Sequence, residues 1–121
     1  MTKIVIVDNS SDASSIYADT LRCAGYAVEC INHEEQAIAK ICKSQPDIVL
    51  LDVIMPKISG LHILERIKKD SCNTKTKVIM LTNVSDSAIM QKAIRAGAKD
   101  YIVKSEVSMA ELLQRIDKVI S

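Results

Sequence analysis

The chain has neither phenylalanine nor tryptophan, and three tyrosines are its only aromatic residues. Ile, Val, Leu, Met and Ala must therefore fill the interior, and so few rings argue against a stacking platform for single-stranded nucleic acid. Excess charge is lacking as well. Sixteen basic residues stand against 15 acidic ones, with no basic bias to attract nucleic acid and no charge run to hold a membrane surface. Long apolar runs are missing. The opening run, Ile4 to Val7, is too short for a signal peptide, and no segment approaches the length of a membrane span. Paired cysteines are missing too. Cys23, Cys30, Cys42 and Cys72 form no C-x-x-C pair, so buried free thiols in a reducing cytoplasm are expected rather than a disulfide or metal site. His33 and His62 stand alone and read as ordinary surface or helix-start residues.

What is present has a clear rhythm. The 121 residues suit one domain over 1–121 with a sizeable core, and a 48% hydrophobic share is ordinary for a globular protein. Lys3 to Val7 is a short β-branched run closed by Asp8-Asn9 and predicts a first strand. Ser10-Ser11-Asp12 offers N-caps for a helix carrying Ala13, Ile16, Tyr17, Thr20, Leu21 and Ala24, which Gly25 ends. Ala27 to Ile31 is the second strand. Asn32 with Glu35 reads as a capping box before a helix with Ala37, Ile38, Ile41 and Cys42 on its apolar stripe, stopped by Gln45-Pro46-Asp47. Ile48 to Leu51 is unbroken and apolar, as a strand buried on both faces should be, and it ends at Asp52. Pro56 and Gly60 punctuate the loop before a third helix running to about Lys69. A polar loop spans Ser71 to Thr76. Val78 to Leu81 is the fourth strand, ending at Thr82-Asn83. Ser85-Asp86-Ser87 opens the fourth helix and Gly97 closes it. Tyr101 to Val103 is the fifth strand, ending at Lys104, and Ser108 with Glu111 caps the last helix.

Five strands alternating with five helices imply an α/β fold. The expected form is a doubly wound five-stranded parallel sheet, flavodoxin-like (βα)5, in the order 2-1-3-4-5. The first and third strands then flank the switch point, where open α/β sheets bind ligands, so Asp8-Asn9 stands beside Asp52. Thr82 and Lys104 end the next two strands on the same rim. Two acids and an amide suit a hard divalent cation. A hydroxyl and an ammonium suit the oxygens of an anion held there. Such a set fits phosphoryl transfer to a carboxylate.

The motifs Ile-Val-Asp8-Asn9, Leu-Leu-Asp52-Val-Ile-Met-Pro56 with Gly60, Met-Leu-Thr82-Asn83, Gly97-Ala98-Lys99-Asp100-Tyr101 and Val103-Lys104 together resemble the receiver domain of bacterial two-component response regulators. The whole chain is similar to the single-domain chemotaxis type. The resemblance implies that Asp52 is the phosphoacceptor, fed by a histidine kinase, a phosphotransfer protein or a small donor. It implies that Asp8, mostly through water, Asn9, Asp52 and the Ile54 backbone carbonyl hold Mg²⁺. Thr82 and Lys104 would take phosphoryl oxygens, and the Tyr101 ring would follow Thr82. A face with Lys92, Arg95, Lys99 and Tyr101 would meet a downstream protein or a second copy of the chain. No catalysis is implied beyond the chain's own phosphorylation and dephosphorylation.

Three positions depart from the family pattern. Asn9 replaces the usual second acid and should weaken Mg²⁺ binding. Ser59 replaces a commoner Asp, with an effect expected only in the loop. Ser105 replaces a Pro, so the Lys104–Ser105 bond is expected to be trans. The alternative reading is a receiver-like interaction module that works without phosphate. An enzyme on the same architecture fits less well. A dehalogenase-type phosphatase needs an acid where Ile54 stands, and a flavodoxin needs a glycine-bearing phosphate loop where Asn9-Ser10-Ser11-Asp12 stands.

Overall fold

Ile48–Leu51 forms the central strand, and all four of its residues are buried. The surrounding architecture comes from a computed structural model that describes residues 1–70 and 75–121. Strands β1 (Lys3–Val7), β2 (Ala27–Ile31), β3 (Ile48–Leu51), β4 (Lys77–Thr82) and β5 (Asp100–Val103) form one parallel sheet in the order β2-β1-β3-β4-β5. The helices are α1 (Ser11–Cys23), α2 (Ala37–Ser44), α3 (Gly60–Lys69), α4 (Ser87–Arg95) and α5 (Met109–Ile120). Short 3₁₀ turns precede α2 and follow β5, at Glu34–Gln36 and Lys104–Glu106.

Side chains alternate across each strand, so the sheet divides the core in two. Val5, Val7, Val49, Leu51, Val78, Met80 and Tyr101 pack with α2, α3 and α4. Ile4, Ile6, Ile48, Leu50, Ile79, Leu81 and Ile102 pack with α1 and α5. Each fully buried aliphatic side chain contributes about 1.5–3 kcal/mol. The register sets Val7 beside Leu51, Leu51 beside Met80, and Thr82 beside Val103, which brings the strand ends to a common rim.

Several local expectations need correction. Helix α1 buries Ser14, Ala18 and Leu21 rather than the larger stripe, and Ile16 is 58% exposed. A buried serine is tolerable because its hydroxyl donates to the Ser11 carbonyl and accepts from Asn32. The capping box at Asn32 and Glu35 does not form. The 3₁₀ turn starts after His33 with no side-chain cap, and Asn32 turns toward β1 instead. Ser59 does more than line a loop: its hydroxyl accepts the Leu61 N–H and caps α3. Gln45 ends α2 in a left-handed conformation, φ 48°.

The cysteines also differ. Cys23 is exposed and Cys30 half-buried, both free, but Cys42 on α2 is disulfide-bonded. That overturns the expectation of a free thiol at Cys42. Pairing depends on two sulfurs meeting in space, which C-x-x-C spacing does not test. Cys72 and most of the loop expected over Ser71–Thr76 lie outside the described residues. Among the described residues no peptide bond is cis, so Lys104–Ser105 is trans as expected.

Candidate functional site

Each strand of the rim hands over one polar group as its apolar run ends. Asp8 follows β1 and is 4% exposed. The Ser10 N–H donates to its Oδ1 at 3.0 Å. Its backbone carbonyl accepts from Asn32 Nδ2 at 2.8 Å. Asp52 follows β3, and the Ile54 N–H donates to its Oδ1 at 3.3 Å. Lys104 follows β5 and reaches back across the rim. Its Nζ lies 2.7 Å from Asp8 Oδ2 and 3.5 Å from Asp52 Oδ2. The three side chains are only 6%, 14% and 12% exposed, respectively for Asp8, Asp52 and Lys104.

Burial alone would lower the Lys104 ammonium. The hydrogen bond it donates to Asp8 and the negative charge of Asp52 outweigh that and raise it above its ordinary range. The cation therefore stays charged and offsets two adjacent carboxylates that would otherwise repel each other. The Tyr17 ring lies under the ammonium, 5.8 Å from its centroid to Nζ.

The loop after Asp52 is held from two sides. Gly60 closes against it: the Gly60 N–H donates to the Val53 carbonyl at 2.8 Å, and a Cβ at Gly60 would fall inside the carbonyl oxygen of Asp52. Glu34, 4% exposed, accepts the Lys57 N–H at 2.7 Å.

Thr82 lies at the tip of β4, 1% exposed, with its hydroxyl accepting the Val84 N–H at 3.3 Å. Tyr101 is not on the surface with Lys92, Arg95 and Lys99. Its ring is 5% exposed, and its hydroxyl donates to the Val84 carbonyl at 2.6 Å. Thr82 and Tyr101 thus grip the same residue, one at its N–H and one at its C=O. Lys92 and Arg95 on α4 and Lys99 just before β5 are exposed. Asn9 is exposed at the edge of the site.

Asp8, Asp52 and Lys104 are therefore brought together as expected. Asn32, Glu34 and Tyr17 had no place in the expected site. Asn32 was legible in principle, because it sits at the tip of β2, next to β1 in the expected strand order. Glu34 and Tyr17 carried no such signal, since their contacts depend on loop and helix geometry.

The donor set fits a hard cation. Asp8, Asp52, the Asn9 amide and the Ile54 carbonyl offer only oxygen ligands. Among the described residues no group of three His, Cys, Asp or Glu could hold a metal, so an amide and a backbone carbonyl would have to complete the set. A cavity of about 520 Å³ lies away from these groups, where β4 and β5 begin. It is lined by Lys77, Lys99, Asp100, Arg115 and Lys118.

Comparison with known proteins agrees with this fold. The family model described as "Response regulator receiver domain" matches residues 4–117. The chemotaxis protein CheY of Thermotoga maritima is 33% identical, over 96% of this chain and 98% of that protein. The phosphate regulon transcriptional regulatory protein PhoB of Pseudomonas aeruginosa is 35% identical. The probable transcriptional regulator ycf27 of Guillardia theta is 36% identical. They match over 97% and 98% of this chain, which spans only 51% and 45% of their own lengths. Among solved structures, Vibrio cholerae CheY4 superposes with a TM-score of 0.90 at 29% identity, over 98% of both chains. A CheY-like receiver domain protein from Methanospirillum hungatei reaches 0.91 at 28% identity, over 99% of this chain and 94% of that one.

Proposed function

The chain belongs to the response regulator receiver domain family, and on that premise we propose that Asp52 is the residue that makes it a phosphorylatable signalling switch. The observation that carries this assignment is the Lys104 ammonium, held at the strand tips between Asp8 and Asp52.

In the proposed reaction an Asp52 carboxylate oxygen attacks the phosphorus of a phosphohistidine on a histidine kinase or phosphotransfer protein, or of a small acyl phosphate. A P–O bond to Asp52 forms as the P–N or P–O bond of the donor breaks. The donor keeps the bonding electron pair. Lys104 exchanges part of its contact with Asp8 for a phosphoryl oxygen, and Thr82 Oγ1 donates to another. Mg²⁺, held by Asp8, Asp52, Asn9 and the Ile54 carbonyl, would supply positive charge against the phosphoryl oxygens.

Readout runs through Val84. Once the Thr82 hydroxyl turns to the phosphoryl group, it releases the Val84 N–H, and the Tyr101 ring below moves with the loop. Phosphate needs only to bias an existing two-state equilibrium by a few kcal/mol. The exposed Lys92, Arg95 and Lys99 would present the changed face to an acidic partner or to a second copy of the chain. Among the described residues no helix is long and apolar enough to cross a membrane.

Intact-protein mass spectrometry after incubation with acetyl phosphate and Mg²⁺ tests the assignment. Wild type should gain one phosphoryl group and Asp52→Asn none. Undiminished labelling of Asp52→Asn would sink it, and an unlabelled wild type would favour the phosphate-independent module.

A further inference from the structure

We propose that Tyr17 is a positioning residue for the phosphoryl-transfer site, holding the Lys104 ammonium on its ring face while that ammonium changes partners. This rests on the reading of Asp52 as phosphoacceptor.

Lys104 has an exacting task. It is a long, flexible side chain, and holding it in one geometry costs rotamer freedom. It leaves from a 3₁₀ turn rather than from inside a strand, so no sheet ladder fixes its first bonds. It must nevertheless point back across β3 to Asp8. Two carboxylates draw it from one side. On another side lies Tyr17, a partly buried residue of α1 that packs against the α1–α5 half of the core. The ring centroid is 5.8 Å from Nζ, within range of a cation–π contact.

The two residues also feel each other electrically. Burial pushes the Tyr17 phenol up, Lys104 pulls it down and Asp8 pushes it up again, for a net rise. The phenol therefore stays neutral near pH 7 and leaves the ring face as the part that attracts the ammonium.

A ring face differs from a carboxylate as a partner. The Asp8 bond at 2.7 Å is directional and must loosen when a phosphoryl oxygen arrives. The ring attracts over a broad surface, so Nζ can slide by an ångström or two and stay in contact. Tyr17 thus restrains the lysine in both states without competing for its donors. Tyr17, Lys104, Asn83 and Met109 line one cavity of about 370 Å³, so the ring also walls this side of the ammonium.

The test has two arms. The first needs no phosphodonor: side-chain NMR relaxation of the Lys104 ε-methylene in wild type, Tyr17→Phe and Tyr17→Leu. The methylene should be restrained in wild type and Tyr17→Phe and mobile in Tyr17→Leu. The second is the phosphorylation rate in a double-mutant cycle with Lys104→Met. Tyr17→Leu should slow labelling of the wild-type chain by about three- to tenfold, Tyr17→Phe should restore most of it, and Tyr17→Leu should cost nothing further once Lys104 is Met. An unchanged ε-methylene in Tyr17→Leu, or an equal loss in the Lys104→Met background, would show that Tyr17 only packs and overturn the proposal. A wild type that takes no phosphoryl group would instead overturn the function, and the relaxation arm would still judge Tyr17.

Discussion

At the residue scale, the site depends most on a side chain that is not there. A Cβ at Gly60 would collide with backbone of the Asp52–Val53 segment, which has no flexible end to swing away. Gly60→Ala must therefore move Asp52 or the start of α3. We expect a loss of about 2–3 kcal/mol in urea unfolding and a fall in phosphorylation rate larger than stability explains. A wild-type rate with wild-type stability would refute this. Asn9 is a chemical rather than a steric departure. The amide contributes a dipole where an acid would add a full charge, so Mg²⁺ should bind more weakly by on the order of 1 kcal/mol. Calorimetric titration should show Asn9→Asp binding Mg²⁺ more tightly than wild type, and equal affinities would refute the account. The tyrosines allow a third prediction, because no tryptophan obscures their absorbance. Tyr26 is pushed up to about 12 by burial and by its hydrogen bond to Asp117. Since the folded state holds the proton more tightly, the stability from this bond is complete below pH 10 and is lost as pH climbs toward 12. Absorbance at alkaline pH should show one phenol titrating after the other two, which burial also raises, and Tyr26→Phe should remove that last step.

At the element scale, helices α1, α3, α4 and α5 are fixed by polar side chains at their starts, whereas α2 has no side-chain cap. Ser10, Ser59, Asp86 and Ser108 each accept a backbone N–H at an N-terminus. Asp86 accepts two, from Ala88 and Ile89. Helix α4 has only Ala93 fully buried, so it depends on this cap more than α3 depends on Ser59. Asp86→Ala should cost about 1 kcal/mol, and hydrogen exchange should quicken in α4 before it does in α3. Uniform quickening across both helices would count against a local role. The cap at Ser108, and Ser10 and Asp86 each within its triplet, were legible because each precedes a periodic apolar stripe. Asn32 was misread because the same residue type serves a cap and a cross-strand hydrogen bond equally well. Its partners, Asp8 and Ser14, are 24 and 18 residues away in sequence, and no local window contains them. The strand tips were readable for the opposite reason. Parallel order 2-1-3-4-5 aligns every carboxyl end, so Asp8, Asp52, Thr82 and Lys104 needed no side-chain geometry to be grouped. Which partner Lys104 takes, and the ring beneath it, did need that geometry.

At the scale of the whole molecule, an aliphatic core lies on both sides of one sheet. The two halves share every strand, so neither can melt alone, and unfolding should be a single transition by every probe. The strands also share a direction, and charge is sorted along it. Asp8, Asp52, Glu34 and Glu35 lie toward the end where the strands finish, with Asp86 following β4. Lys3, Lys77 and Lys99 lie where strands begin, with Arg115 and Lys118 beside the cavity there. A formal net charge of +1 therefore conceals an uneven spread of charge along the strands, although Lys57 and Lys104 stand at the acidic end and Asp47 and Asp100 at the basic one. A molecule built this way drifts little in a field but turns in it. Before any contact forms, a cationic docking surface will rotate the acidic end, and Asp52 with it, to the front. That torque fades once salt shortens the Debye length to about 8 Å, so the first effect of ionic strength should be on how often the two proteins meet the right way round.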